Sequence, residues 1–235
     1  LPDEQMKYID DYIESGKPII GLRTATHGFR FPAGSTSAYK HYDFKSQEWE
    51  GGFGRQVLGE TWAGHHGHHK VQATRGLIVE SEKDNPIVQG CKDIFGPTDV
   101  YTITLPMMKG CTPLVLGQVL TGMKPTDPVF VGEYEQGGKT KKPNDPLMPI
   151  AWTKTYTGKK GNTSRVFTTT MGASVDLPSE GLRRLIVNAA YWCVNMEDQI
   201  PPRSNVDIVG AFNPTFYGFG QYTKGLKPKD HALQR

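Results

Sequence analysis

Apolar and polar positions near the start of the chain alternate first with a helical period and then with none. Met6, Ile9 and Ile13 fall on one stripe, Asp3 and Glu4 suit an electropositive first turn, and Gly16 supplies a stop, so the pattern predicts a helix over Asp3 to Ser15. The apolar run from Pro18 to Leu22 reads as a buried strand and leads straight into a small-residue turn carrying Arg23, Thr24, Thr26 and His27. Helix, buried strand and polar turn make half of a βαβ unit, and the strand that should precede them would lie before Leu1. The expectation is an α/β domain lacking its N-terminal strand or strands, with an apolar edge or face left for a missing segment or a partner chain to cover.

From Phe31 to Gly54 no period is sustained, and a long excursion of this kind is expected on the active face. Strand patterns follow at Val71 to Glu80, Asp99 to Leu105, Pro113 to Leu120 and Pro128 to Glu133, spaced closely enough to predict antiparallel neighbours. Met148 to Tyr156 and Arg165 to Met171, joined by a turn over Thr157 to Asn162, read as a hairpin. Leu182, Leu185, Ile186, Ala189 and Cys193 share a face and predict a helix over Ser179 to Asn195, with Pro178 near its start. The tail from Pro201 has no period and reads as coil held by Phe212, Phe216 and Phe219, which makes residues 1–200 one domain and 201–235 an extension packed on it.

Composition narrows the function. A chain of 235 residues with 37% hydrophobic residues can bury one substantial core. Its apolar runs are too short to span a bilayer, so no membrane partner is expected. A net charge of +3, with lysines clustered at Lys139 to Lys142 and Lys159-Lys160 without stacking aromatics, argues against a nucleic-acid partner. Cys91, Cys111 and Cys193 lack metal-binding spacing and are odd in number, against a disulfide framework or a structural zinc site. Periplasmic, secreted and cytoplasmic locations all stay open, as does a homo-oligomer.

Ligands of open α/β sheets gather at the carboxyl ends of strands, which singles out Arg23 and His27. Arg23 stays protonated and suits carboxylate, phosphate or hydroxyl oxygens, while His27 suits general acid–base work or the ordering of its turn. Glu60 and Asp176 are candidate partners for Arg23, Asp176 equally a helix N-terminal charge. In His65-His66-Gly67-His68-His69, an extended backbone projects His66 and His68 to one face and His65 and His69 to the other. His66 and His68 are the pair considered for a divalent metal, with His27, His41 or Glu60 as a third ligand; the competing reading is a hydrogen-bonded polar loop. Trp49 and Trp62, in loops, are candidate stacking faces for a sugar, whereas Trp152, within a strand, reads as core. Ser174 lacks a nucleophile elbow and reads as a turn residue.

Four stretches carry a family resemblance: Gly21-Leu22-Arg23-Thr24-Ala25-Thr26-His27; Val57-Leu58-Gly59-Glu60 with Gly64-His65-His66-Gly67; Pro149-Ile150-Ala151-Trp152-Thr153; and Arg165 through Ser174. Together they resemble the bacterial trehalose-utilisation (ThuA-like) family over Leu1 to Met196. The resemblance implies a flavodoxin-like, three-layer α/β sandwich akin to class I glutamine amidotransferases, with Pro18 to Leu22 and Arg165 to Met171 among its central strands. It also implies an upstream βα portion and a link to carbohydrate metabolism. Amidotransferases place a nucleophilic cysteine on the turn where this chain has Arg23, so glutamine hydrolysis is not expected. The resulting expectation is a carbohydrate-active hydrolase or lyase acting on a sugar or modified glycoside. Arg23, His27 and Glu60 would be catalytic, and His65, His66, His68, Trp49 and Trp62 would bind a small carbohydrate. Arg23, His27 and at least two of Glu60, His65, His66 and His68 should line one cleft. The alternative is a non-catalytic carbohydrate-binding or assembly module on the same fold.

Overall fold

The computed structural model describes residues 1–232. Its main sheet has six strands in the order β1 (Ile19–Leu22), β10 (Thr163–Thr169), β9 (Met148–Thr157), β6 (Cys111–Val119), β3 (Thr74–Ile78) and β4 (Phe95–Gly96). β1 runs parallel to β10, and every other neighbouring pair in this sheet is antiparallel. Two small ladders stand apart from it: β2 (Gly64–His66) with β5 (Val100–Thr102), and β7 (Tyr134–Gln136) with β8 (Lys139–Lys141). The fold is therefore mixed α/β with few helices. None of them is long and apolar enough to cross a membrane among the described residues.

Both faces of the β1–β10 end are covered. Val166 and Phe167 are consecutive in β10 and enter different cores, as the pleat requires. On Val166's side α1 (Asp3–Glu14) presents Met6 and Ile13 to Tyr42, Val57, Leu58 and Tyr156. On Phe167's side α3 (Glu180–Cys193) presents Leu182, Leu185, Ala189 and Cys193 to Ile87, Ile94 and Ile150. Ser179 caps α3 by accepting a hydrogen bond from the Leu182 amide at 3.3 Å. Trp152, in the middle of β9, is fully buried, and its Nε1 donates to the Leu58 carbonyl at 2.7 Å.

Several expectations need correction. Pro18 to Leu22 is an edge strand, not a central one, and no strand pairs with its far side among the described residues. Tyr8, Ile9, Tyr12, Ile13, Ile19 and Phe53 line an open apolar hollow of about 290 Å³ beside it. Asp99 to Leu105 contributes only β5, which pairs with the histidine-rich segment outside the main sheet. Pro128 to Glu133 forms one bridge, Leu120 to Val129, in place of a strand. Asn144 is the reason: its side chain accepts from the Val119 amide at 2.8 Å and donates to the carbonyls of Val119 at 2.9 Å and Phe130 at 2.8 Å, occupying groups a ladder would use. The Phe31 to Gly54 excursion packs largely on α1, where the Tyr42 hydroxyl donates to Asp10 at 2.7 Å and Ser37 to Asp3 at 2.6 Å.

The tail is coil after the turn at Pro201, apart from a single helical turn at Pro228–His231, but its aromatics do not hold it. Phe219 is 92% exposed, and Phe212 and Phe216 are also exposed. Polar anchors replace them: Arg184 Nε donates to the Ser204 carbonyl at 3.1 Å, Arg183 Nε to that of Val206 at 2.7 Å, and the buried Ser204 hydroxyl to Asn188 Oδ1 at 2.6 Å.

Candidate acid–base site

The site starts where β1 ends. Leu22 is still extended, and Arg23 then turns into the left-handed region at φ +43°, a conformation that costs a non-glycine residue about 1 kcal/mol or more. The turn is held from several sides. Thr26 Oγ1 donates to the Arg23 carbonyl at 3.1 Å, and Thr61 Oγ1 to the Thr26 carbonyl at 2.9 Å. The helix α2 (Gly52–Gln56) backs it so closely that a Cβ on Gly54 would stand 2.0 Å from the Thr26 carbonyl oxygen.

The Arg23 side chain lies over the Tyr101 ring, 4.8 Å from its centroid. Its Nη1 donates to Thr98 Oγ1 at 3.0 Å and to the Asp99 carbonyl at 2.8 Å, with Nη2 3.8 Å from Asp99 Oδ1. Thr98 is fixed in turn by Asp176, which is fully buried and accepts from the Thr98 hydroxyl at 2.8 and 2.9 Å and from the amides of Thr98, Gly172 and Ala173. Asp176 thus ties the end of β10 to the Thr98 loop; it is neither Arg23's direct partner nor the cap of α3.

Asp99 is the focus of the site. It is fully buried, and Nδ1–H groups of His65 and His69 each donate to one of its oxygens at 2.6 Å. Burial works to raise its pKa, yet the two imidazole hydrogen bonds and the Arg23 charge outweigh burial and hold the carboxyl below the usual aspartate range. The ladder explains the convergence. His65 pairs with Tyr101 across β2–β5, which puts it near Asp99, the residue just before β5, and Gly67 at φ +99° bends the chain so that His69 returns. The two rings stand 5.5 Å apart, and the side chains are 43% and 51% exposed, so each imidazole has one nitrogen on the buried carboxylate and the other free to face solvent.

His27 lies behind this centre. Its ring is 5.2 Å from Tyr101 and 5.3 Å from Trp62, and the same two rings flank His65 at 6.0 and 5.8 Å. Burial first, then the charges of Arg23 and His65, push its pKa down, which keeps it neutral near pH 7. Arg23, His69, Lys70 and Thr98 line a cleft of about 540 Å³ whose other walls are Gly172 to Val175 and the tail around Tyr217. His27, Trp62 and His65 are not part of that lining; of the two imidazoles on Asp99, His69 is the one that faces it. A larger hollow of about 700 Å³ lies at the start of α3; its Arg184 and Arg203 are both bound to Glu180, and its lining holds no histidine or cysteine.

The remaining expected site residues lie elsewhere. Glu60 is fully buried and accepts from Arg55 Nη1 at 2.9 and 3.2 Å and from the Met108 amide at 2.9 Å; burial raises its pKa, and it is held away from the cleft. His66 donates from Nε2 to the Pro143 carbonyl at 2.6 Å, and burial drives its pKa down to about 4. His68 lies against Tyr134, with ring centroids 4.0 Å apart. Trp49 packs on His41 and Tyr42 at 5.4 Å, part of the support for α1. Of the residues expected to share one cleft, only Arg23 lines it; His65 is joined to it through Asp99, and His27 adjoins.

Alternation separates His65 from His66 within β2, but the strand ends there, and His69 joins His65 through the bend at Gly67, so the chemistry fell to a pair other than the one chosen for a metal. His65, His69 and Asp99 are the group whose ligand atoms lie together, within 4.8 Å, among the described residues. Tetrahedral zinc ligands at about 2.0–2.1 Å from the ion stand roughly 3.3 Å apart, whereas these nitrogens and oxygens are at hydrogen-bonding distance. A cation would have to open both Asp99–imidazole bonds, so the arrangement fits proton transfer better. Sequence reasoning missed Asp99, Thr98 and Tyr101; the available signal was that Asp99 sits directly before a strand able to pair with the histidine run. Compared with protein-family models and with curated proteins, the chain matches none.

Proposed function

We infer that this chain is an acid–base enzyme acting on carbohydrate, of the lyase type, on a fold related to the trehalose-utilisation-like family. The observation that carries the reading is the buried Asp99 carboxylate accepting from both His65 and His69 at 2.6 Å. A carboxylate on Nδ1–H fixes the tautomer, leaves Nε2 as the working nitrogen and stabilises the imidazolium that forms on proton uptake. Two such imidazoles on one carboxylate can act as base and acid in the same turnover. The neutral one takes a proton from a sugar carbon next to a carbonyl or carboxyl group. The electron pair becomes a carbon–carbon double bond, the carbon–oxygen bond to the leaving group breaks, and the protonated imidazole gives its proton to the departing oxygen. Arg23 supplies fixed positive charge for the oxygen that becomes negative along the way.

Hydrolysis by the usual carboxylate pair is less well supported, since Glu60 is locked to Arg55 outside the cleft's lining and Asp176 is fully buried beneath its wall, its oxygens taken up by Thr98 and two backbone amides. Thiol chemistry has no support: burial pushes Cys91 up to about 12 and Cys111 and Cys193 up to about 11. The left-handed Arg23 at the strand end resembles the strained turn that presents a nucleophile in amidotransferases, with the nucleophile replaced by a cation.

The test is turnover of a panel of neutral and acidic glycosides, followed by the absorbance of a new conjugated double bond and by NMR in D2O. His65→Gln and His69→Gln, both at half-exposed positions, should each lower kcat by about 10²–10⁴. Asp99→Asn should do so comparably. Full activity in these variants, or no turnover of any sugar by the wild type, would sink the reading.

A further inference from the structure

The surface of the cleft is lopsided in charge. Its lining contributes two permanent cations, Arg23 and Lys70, and no aspartate or glutamate; the carboxylates of Asp99 and Asp176 are buried beneath it, Asp99 beside Arg23, and Lys70 has no ion pair among the described residues. Lys70 is exposed and follows His69 in the left-handed region at φ +59°, so its position is set by the same bend that returns His69 to Asp99. The opposite wall is the C-terminal tail. Ser174 Oγ, in the short helical turn Ser174–Asp176 beyond β10, donates to the Thr215 carbonyl at 3.2 Å and pins the tail there, and Tyr217 comes next along this wall. The Tyr217 side chain is 72% exposed, and Phe219 meets its ring edge-on at 5.1 Å. An aromatic face left exposed on a cleft wall suits the C–H face of a sugar ring, while Gln221 and Ser174 offer hydroxyl-matching groups.

We propose that the cleft binds a sugar acid, its carboxylate held by Arg23 and Lys70 and its ring laid on Tyr217 of the tail. This rests on the acid–base reading of the same cleft and names the substrate class for it. A neutral sugar leaves Lys70 without a counter-charge, and a small anion without a ring leaves Tyr217 unused.

Isothermal titration of the full chain with D-glucuronate, D-glucose and acetate tests it. Glucuronate should bind at least about tenfold tighter than either control, a difference of about 1.4 kcal/mol. Lys70→Ala should weaken glucuronate and leave glucose unchanged. Tyr217→Ala should weaken glucuronate about threefold to tenfold, the range expected for a lost aromatic contact. Both side chains are exposed, so neither variant endangers the fold. Equal binding of glucose and glucuronate, equal binding of acetate and glucuronate, indifference to both substitutions, or no binding of glucuronate would each overturn the proposal. Glucuronate binding without turnover of any sugar removes the acid–base reading and leaves this one standing. Turnover of a neutral glycoside without glucuronate binding does the reverse.

Discussion

His66 lies one residue from the site yet has a different task, because the strand turns its ring into the protein. With Nε2 donating to the Pro143 carbonyl and the ring buried, its pKa falls from the ordinary 6.5 to about 4. The unfolded chain therefore takes up a proton below pH 6.5 that the folded chain refuses until about pH 4, and stability must fall as pH drops through that window. The contribution is complete above pH 6.5 and is on the order of 3 kcal/mol once fully lost. His27, also depressed by burial, adds in the same direction. Urea unfolding followed from about pH 7 down to about pH 4.5 should show the midpoint falling, and His66→Gln, which keeps a donor for Pro143, should flatten most of that slope. A wild-type midpoint that holds constant over the range would contradict the burial of His66. Sequence exposed the alternation of these histidines, but not which face would be covered.

At the scale of elements, the site depends on how tightly α2 supports the Arg23–His27 turn. Gly54 is where they meet, and a methyl group there would collide with the Thr26 carbonyl, a backbone atom that cannot swing aside. Gly54→Ala should cost about 2 kcal/mol through overpacking. In a chain of this length that corresponds to a melting temperature lower by about 5 °C. Because the displaced atom belongs to the turn carrying Arg23, activity should fall further than the lost stability alone explains; calorimetry and kinetics on one preparation check both. The β2–β5 ladder is a second dependence of this kind. Two strands alone are marginally stable. Here Ala63 donates its amide to the Thr102 carbonyl at 2.8 Å and Thr102 its hydroxyl to the His65 carbonyl at 3.2 Å. β-Branched and aromatic residues on either side of a turn made the β9–β10 hairpin readable, whereas β7–β8, polar throughout, announced itself only by the Gly137-Gly138 pair, both at positive φ.

For the molecule as a whole, the tail divides into a structural half and a cleft-lining half. Residues from Ile200 to Val206 are bound to α3 and its neighbours, including a 3.1 Å bond from Gln89 Nε2 to the Ile200 carbonyl. Beyond Val209 most residues are exposed, and Ser174 to Thr215 is a side-chain contact tying this segment to the turn Ser174–Asp176 beyond β10. A chain ending after Val209 should keep its melting temperature within about 2 °C of the full chain, since exposed residues contribute about 0.5 kcal/mol or less. One ending after Gln199 strips carbonyl acceptors from buried Arg184 and half-buried Arg183 and should melt more than about 5 °C lower. Equal melting of the two would show that the division is wrongly drawn.

Local patterning determined α1, α3 and the β9–β10 hairpin, because a period of 3.6 and runs of β-branched and aromatic residues around a turn are properties of the chain itself. It also placed Arg23 and His27 on one turn after a buried strand, and His65 opposite His66; the bend at Gly67 that returns His69 to the side of His65 came from the tertiary structure. Tertiary structure alone decided that Asp99, thirty-four residues from His65, would receive both imidazoles, and that Glu60 would be locked to Arg55. Both outcomes depend on long-range pairing, the β2–β5 register in one case and burial beneath the Met108 loop in the other. Neither leaves a period in the sequence, because the residues that meet are chosen by which surfaces pack together.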